Sequence, residues 1–180
     1  MQPSIRKYVW PVAAALAVAA CDQPSTAPVV DHASAHAQFA VTSAGDLTGL
    51  AKEVRQATMR FHSTTQATRA GYAVASGCVA VPGLGGMGFH WVNQSLVDPV
   101  FDPLNPEAVL YEPGPDGKLR FVAVEYIVIN VGQPAPTFDG QPFDVGGTPI
   151  PVPHWSLHVW VNRENPNGLF TPFNPDVSCN

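Results

Sequence analysis

Apolar residues recur at Leu47, Leu50, Val54, Ala57 and Phe61, at intervals of three, four, three and four. This is one stripe of an amphipathic helix. Lys52, Glu53, Arg55 and Arg60 fall outside the stripe. Ser43, followed three residues on by Asp46, resembles a capping box at its start. The helical pattern continues or restarts through 66–70 and should stop near Gly71. His62 stands beside the stripe, as a flanking core or surface residue.

Beyond residue 81 the period changes from helical to two. Residues 108–111 and Leu119–Ile129 flank Pro113-Gly114-Pro115-Asp116-Gly117, a hairpin signal. Residues 157–161 read as another strand, and 79–81 with 89–92 as weaker ones. Residues 130–153 and 162–180 read as long irregular segments. Proline sharpens the division: none occurs from Val29 to Val81, whereas 15 of the 19 lie between residues 82 and 180. Strands follow helix without alternating with it. The expected class is therefore α+β, an N-terminal amphipathic helix or helix pair packed on a twisted antiparallel sheet with long ordered loops.

Alternation makes one residue conspicuous. Along Leu119–Ile129 the odd face reads Leu119, Phe121, Ala123, Glu125, Ile127, Ile129, so a carboxylate sits in an apolar row expected to face the core. A buried charge must be paired, protonated or metal-bound, unless a bulge turns it outward. Histidines are the available partners. His154, Ser156, His158 and Trp160 share a strand face, and His90 lies in Gly86-Met87-Gly88-Phe89-His90-Trp91-Val92-Asn93, whose glycines allow close backbone approach. His90, Glu125, His158 and His154 together are a donor set for one divalent transition metal such as Zn2+, Mn2+, Fe2+ or Cu2+. The set resembles a cupin centre in composition but lacks the cupin spacing. The alternative is a buried His–Glu pair that fixes strand register and performs no chemistry. Ser156 lacks a third orienting group for a catalytic triad, and no nucleophile elbow, P-loop, dinucleotide fingerprint or HExxH motif occurs. Whether the protein is an enzyme stays open. Trp91 and Trp160 are candidates to line a small-molecule pocket, or else are part of the core.

The chain's 180 residues carry a net charge of −5 and only 13% charged residues. That balance argues against a nucleic-acid partner, and nothing in it specifies a protein partner. Arg6 and Lys7 precede an apolar run, 8–20, shorter than the roughly 20 residues a membrane span needs. The run ends in Val18-Ala19-Ala20-Cys21, which looks like a bacterial lipobox. The expected organisation is a signal peptide over 1–20, a lipidated Cys21 with a flexible tether over 21–42, and a single domain over 43–180. Localisation would be the bacterial cell envelope, lipid-anchored at the periplasmic face of the inner or outer membrane, or at the cell surface. With Cys21 assigned to lipid, Cys78 and Cys179 remain as a pair suited to a disulfide in an oxidising compartment. A reactive thiol or metal ligand is the competing reading. Residues 165–175, rich in Asn, Pro and Gly, read with Cys179 as a strap over the domain.

Four groups of residues carry a family resemblance: Gly86-Met87-Gly-x-His90-x-x-Asn93; Pro106-Glu107-Ala108-x-Leu110-Tyr111; Val124-Glu125-Tyr126; and Leu157-His158-Val159-Trp160 with Asn165-Pro166-x-Gly168-x-Phe170. Together they resemble a family of uncharacterised exported bacterial (lipo)proteins, over roughly residues 50 to 180. The resemblance implies no catalytic role, but it draws attention to His90, Glu125 and His158.

Overall fold

The computed structural model describes residues 47, 49–147 and 150–180. The expected signal peptide, Cys21, the tether and the Ser43–Asp46 capping box lie outside these residues. Helix α1 spans Gly49–Thr58, a 3-10 turn follows at Met59–His62, and α2 restarts at Thr64–Arg69. Gly71, with φ +96°, takes the left-handed conformation that ends the helical region. The buried stripe is Leu47, Ala51, Val54, Thr58 and Phe61, so the expected stripe is corrected at two positions: Leu50 is half-buried and Ala57 exposed. Thr58 can occupy an inward position because its hydroxyl donates to the Val54 carbonyl at 2.7 Å. His62 is exposed, with its ring edge-on to Phe121. At the other end of α1, the Leu50 N–H donates to the Asp139 carboxylate at 3.0 Å.

Strands β1 (Ala73–Val81), β2 (Gly85–Val92), β3 (Ala108–Pro113) and β4 (Leu119–Ile129) form an antiparallel meander. The chain then makes the small hairpin β5 (Thr137–Phe138) and β6 (Gln141–Pro142). It adds β7 (Asp144–Val145) at the edge of the main sheet and returns as β8 (His154–Val159) between β4 and β7. Among the described residues the main sheet thus runs β1-β2-β3-β4-β8-β7, antiparallel throughout, and the protein is mixed α+β. Residues 130–153, expected to be irregular, therefore hold three short strands. Asp139 and Gly140 both have positive φ, the condition of a tight hairpin turn. Flanking strands of two residues are too short to show alternation.

Both faces of the curled sheet are covered. One packs Val109, Tyr111, Val124, Tyr126, Leu157 and Val159 against the helical Val54 and Phe61. The opposite face gathers Leu110, Ala123, Ile127, Trp160 and Val177. A bulge in β4 corrects the expected odd row. Leu110 pairs with Ala123, but Tyr111 pairs with Phe121, so Val122 is skipped. Leu119 and Phe121 consequently join the helical side, while Ala123, Glu125 and Ile127 stay together on the other.

The C-terminal strap bonds to the start of β2 through paired Gly86 and Asn174 backbone groups, each bond 3.0 Å. A side chain at Gly85 would collide with the Asn174 carbonyl, so glycine permits the approach. A Cys78–Cys179 disulfide, with Cα atoms 5.6 Å apart, staples the strap to β1. Closing 101 residues of sequence is worth about 4.7 kcal/mol in the chain-entropy picture.

Candidate metal centre

Three strands deliver the centre. Glu125 on β4 stands opposite His158 on β8 and, on its other side, opposite Ala108 on β3. His90 on β2 stands opposite Leu110. Between His90 and Glu125 lie two strand spacings, roughly 9 to 10 Å of backbone. The methyl side chain of Ala108 leaves room above β3 for the imidazole and carboxylate to meet. They do meet: His90 Nε2 lies 3.5 Å from Glu125 Oε2, a buried His–Glu pair. The His90 and His158 rings are perpendicular, with centroids 5.8 Å apart. One donor atom from each of His90, Glu125 and His158 can be chosen so that all lie within 4.8 Å of one another. This buried group can bind a metal ion.

Polar neighbours set its chemistry. The Ser156 hydroxyl donates to Glu125 Oε1 at 2.6 Å, while Glu125 Oε2 and His158 Nε2 are sealed from solvent with no hydrogen-bond partner among the described residues. Ser76 Oγ lies 3.1 Å from His90 Nδ1 and 2.9 Å from the Gly77 carbonyl. The hydroxyl has one hydrogen; when Gly77 takes it, Oγ accepts from His90 Nδ1–H and Nε2 keeps its lone pair. In that tautomer the lone pair and Glu125 Oε2 face each other as two acceptors, which a proton or a metal ion between them would satisfy.

Burial pushes the Glu125 carboxyl upward, but the neighbouring His158 and His90, the Ser156 hydroxyl and His154 outweigh it and hold the group below its ordinary range. Burial also pulls His158 below its ordinary value, further lowered by His90 and opposed by Glu125 and Asp144. An ionised carboxylate beside a neutral imidazole is the protonation state that metal binding requires.

A cavity of about 260 Å³ opens onto the three residues. Its wall also carries Asp144 from β7, Ser156, and the side-chain-free Gly146 and Gly147. A larger groove of about 550 Å³ runs beside the disulfide, lined by residues such as Pro82, Gly83, Pro175 and Val177 and, among the described residues, by no acidic, basic or histidine side chain.

The structure thus brings together His90, Glu125 and His158 but leaves His154 outside the group. His154 is buried; its ring bonds to the Val152 carbonyl at 2.8 Å and lies directly over Gly146. Neither tryptophan proposed for ligand contact lines this cavity. Trp91 packs with Tyr111 on the helical side, because it alternates with His90. Trp160 is core, its indole N–H donating to the Thr171 carbonyl at 2.7 Å.

Sequence reading did not single out Ser76 or Asp144, and it met Glu107 only within the Pro106-Glu107-Ala108 motif, without a role. Ser76 and Asp144 lie on strands of little hydrophobic pattern. Glu107 directly precedes β3 and is fully enclosed; its Oε2 accepts the Ile127 N–H at 2.9 Å. Burial first, and then the nearby Asp98 and Glu125, raise its pKa to about 8 against the opposing pull of backbone hydrogen bonds. The Pro106-Glu107 step was the available signal, as a carboxylate entering a strand that is buried over its first five residues. No family model matches the chain, and neither the curated proteins nor the solved structures provide a match.

Proposed function

We propose that this protein is an envelope lipoprotein whose domain binds one divalent transition metal through His90, Glu125 and His158 and presents it to a small-molecule cavity. The observation that carries the metal reading is that two buried atoms, Glu125 Oε2 and His158 Nε2, have no hydrogen bond among the described residues and lie beside a third donor, His90 Nε2. Leaving a buried charged oxygen unsatisfied costs several kcal/mol, so a fold that keeps it implies a cation. Donors on a tetrahedral ion are about 3.3 Å apart; the His90–Glu125 separation of 3.5 Å matches this, and the three donors, all within 4.8 Å of one another, would draw together around an ion. Two imidazoles and one carboxylate match three-ligand zinc and non-haem iron centres, which keep a position open. A metal bound there would act as a Lewis acid toward whatever enters the cavity.

A structural His–Glu pair is the second reading. His90 as an imidazolium would satisfy Glu125 Oε2, but it would leave His158 Nε2 without a partner. Elemental analysis separates the two. Protein purified without chelators or a histidine tag should hold about one equivalent of metal, or bind it on addition. Metal-free protein that takes up no Zn2+, Mn2+, Fe2+ or Cu2+ overturns the metal reading.

The envelope placement rests on Arg6, Lys7, the apolar run after them and the lipobox ending in Cys21. Among the described residues no helix is long and apolar enough to cross a membrane. Cys21→Ser should move the protein from the membrane fraction to the soluble one, and unchanged fractionation refutes the anchor.

A further inference from the structure

We infer that the cavity takes a small ligand carrying an ammonium group, held by Asp144, with an oxygen donor turned toward the metal. This rests on the metal reading above and extends it to the chemistry of what enters.

Asp144 pairs directly with Ser156 across β7 and β8, so both side chains stand on the same face. Ser156 is the residue whose hydroxyl holds Glu125. Asp144 therefore lies two strand spacings from Glu125, with β8 and its Ser156 between them, and it lines the same cavity. Its position is fixed from below. The Gly146 N–H donates to the His154 carbonyl at 2.8 Å, and the His154 ring occupies the space a side chain at Gly146 would need.

The charges select the ligand. No lysine or arginine lines the cavity among the described residues, so an anionic group would find only the metal as a partner. With Glu125 balancing half of a divalent charge, Asp144 is a second negative group, exposed at the cavity wall. It favours a cation and opposes an anion at that end. Size sets a further limit: about 260 Å³ is eight or nine times the roughly 30 Å³ that one water occupies in the liquid. The ligand class is a small amino compound that also carries a metal-binding oxygen.

Glycine hydroxamate and acetohydroxamate test this, because they differ by an ammonium group and share the metal-binding end. Full-length protein loaded with cobalt(II) would be titrated with each while its visible absorption is followed. Glycine hydroxamate should bind about tenfold more tightly, and Asp144→Asn should remove that preference while leaving acetohydroxamate affinity within about threefold. Equal affinities in the unaltered protein, a preference that survives Asp144→Asn, or no response to either compound with cobalt bound would each overturn the inference and leave the metal site standing. Failure to bind cobalt, or any other divalent ion, would instead overturn the metal reading.

Discussion

Glu107 and Glu125 are both buried carboxyls, one just before β3 and the other in the neighbouring strand β4, yet the fold holds them in opposite states. Glu107 receives one backbone N–H and has no histidine, lysine or arginine among the groups that shift its pKa, so burial dominates and its carboxyl keeps a proton up to about pH 8. Glu125 is also desolvated, but two imidazoles and a serine hydroxyl hold it ionised. Burial alone therefore does not decide charge. The imidazoles and the hydrogen-bond donor beside the carboxyl do, and they come from distant strands. The neutral carboxyl fits a structural role, and the ionised one, with an oxygen that has no hydrogen bond among the described residues, marks the candidate metal centre.

The sharpest way to break this contrast is Glu125→Gln. The amide keeps the shape and removes the charge, so metal affinity should fall on the order of a thousandfold in a competition titration with a chromogenic chelator. Retained affinity would remove Glu125 from the ligand set.

Glu107→Gln tests the other half. The folded state holds this proton until about pH 8, whereas the unfolded carboxyl releases it near its ordinary 4.5. Between these values the unfolded chain binds fewer protons, so stability falls as pH rises. The contribution is whole below about pH 4.5 and gone above about pH 8. The loss is on the order of 5 kcal/mol. Thermal melts between pH 5 and 8 should therefore be flatter in Glu107→Gln. A variant with the parent's pH slope would show that Glu107 is ionised.

Ser156→Ala removes the donor that steadies Glu125 without touching a ligand. Metal affinity should weaken by about tenfold, the lower end for groups that orient ligands. No change would mean that the two imidazoles suffice.

The smallest effect is expected at Tyr126, whose hydroxyl donates to the Pro103 carbonyl at 2.7 Å on the helical side. Tyr126→Phe should cost about 1 kcal/mol in denaturant unfolding and leave metal binding unchanged. A change in metal affinity would show that the two faces are coupled.

Much of this was legible before the fold was known. Leu119–Ile129 forms the strand its alternation predicts, and Glu125 lies in an apolar row as expected. Pairing of Cys78 with Cys179 followed from the cysteine count once Cys21 was set aside. Residues whose pattern is weak were not legible. β1 is mostly exposed and made of small side chains, so its full length and Ser76 escaped notice. β7 has two residues, too few for a period, and Asp144 went with it. In the helix, the stripe was assigned by residue type to Leu50 and Ala57, whereas Ala51 and Thr58 are the buried positions.

The sequence by itself determined which residues are out of place: a carboxylate among apolar neighbours and histidines at alternating positions. Periodicity assigns each a face because side chains alternate at a fixed interval. It carries no information on which strands become neighbours. Tertiary structure decided that His90 reaches Glu125 across the methyl of Ala108, that His154 covers Gly146 instead, and that Trp91 faces the helices. It also decided the two charge states. A pKa answers to groups within a few ångströms, and those that hold Glu125 ionised arrive from strands 29 to 35 residues away in the chain.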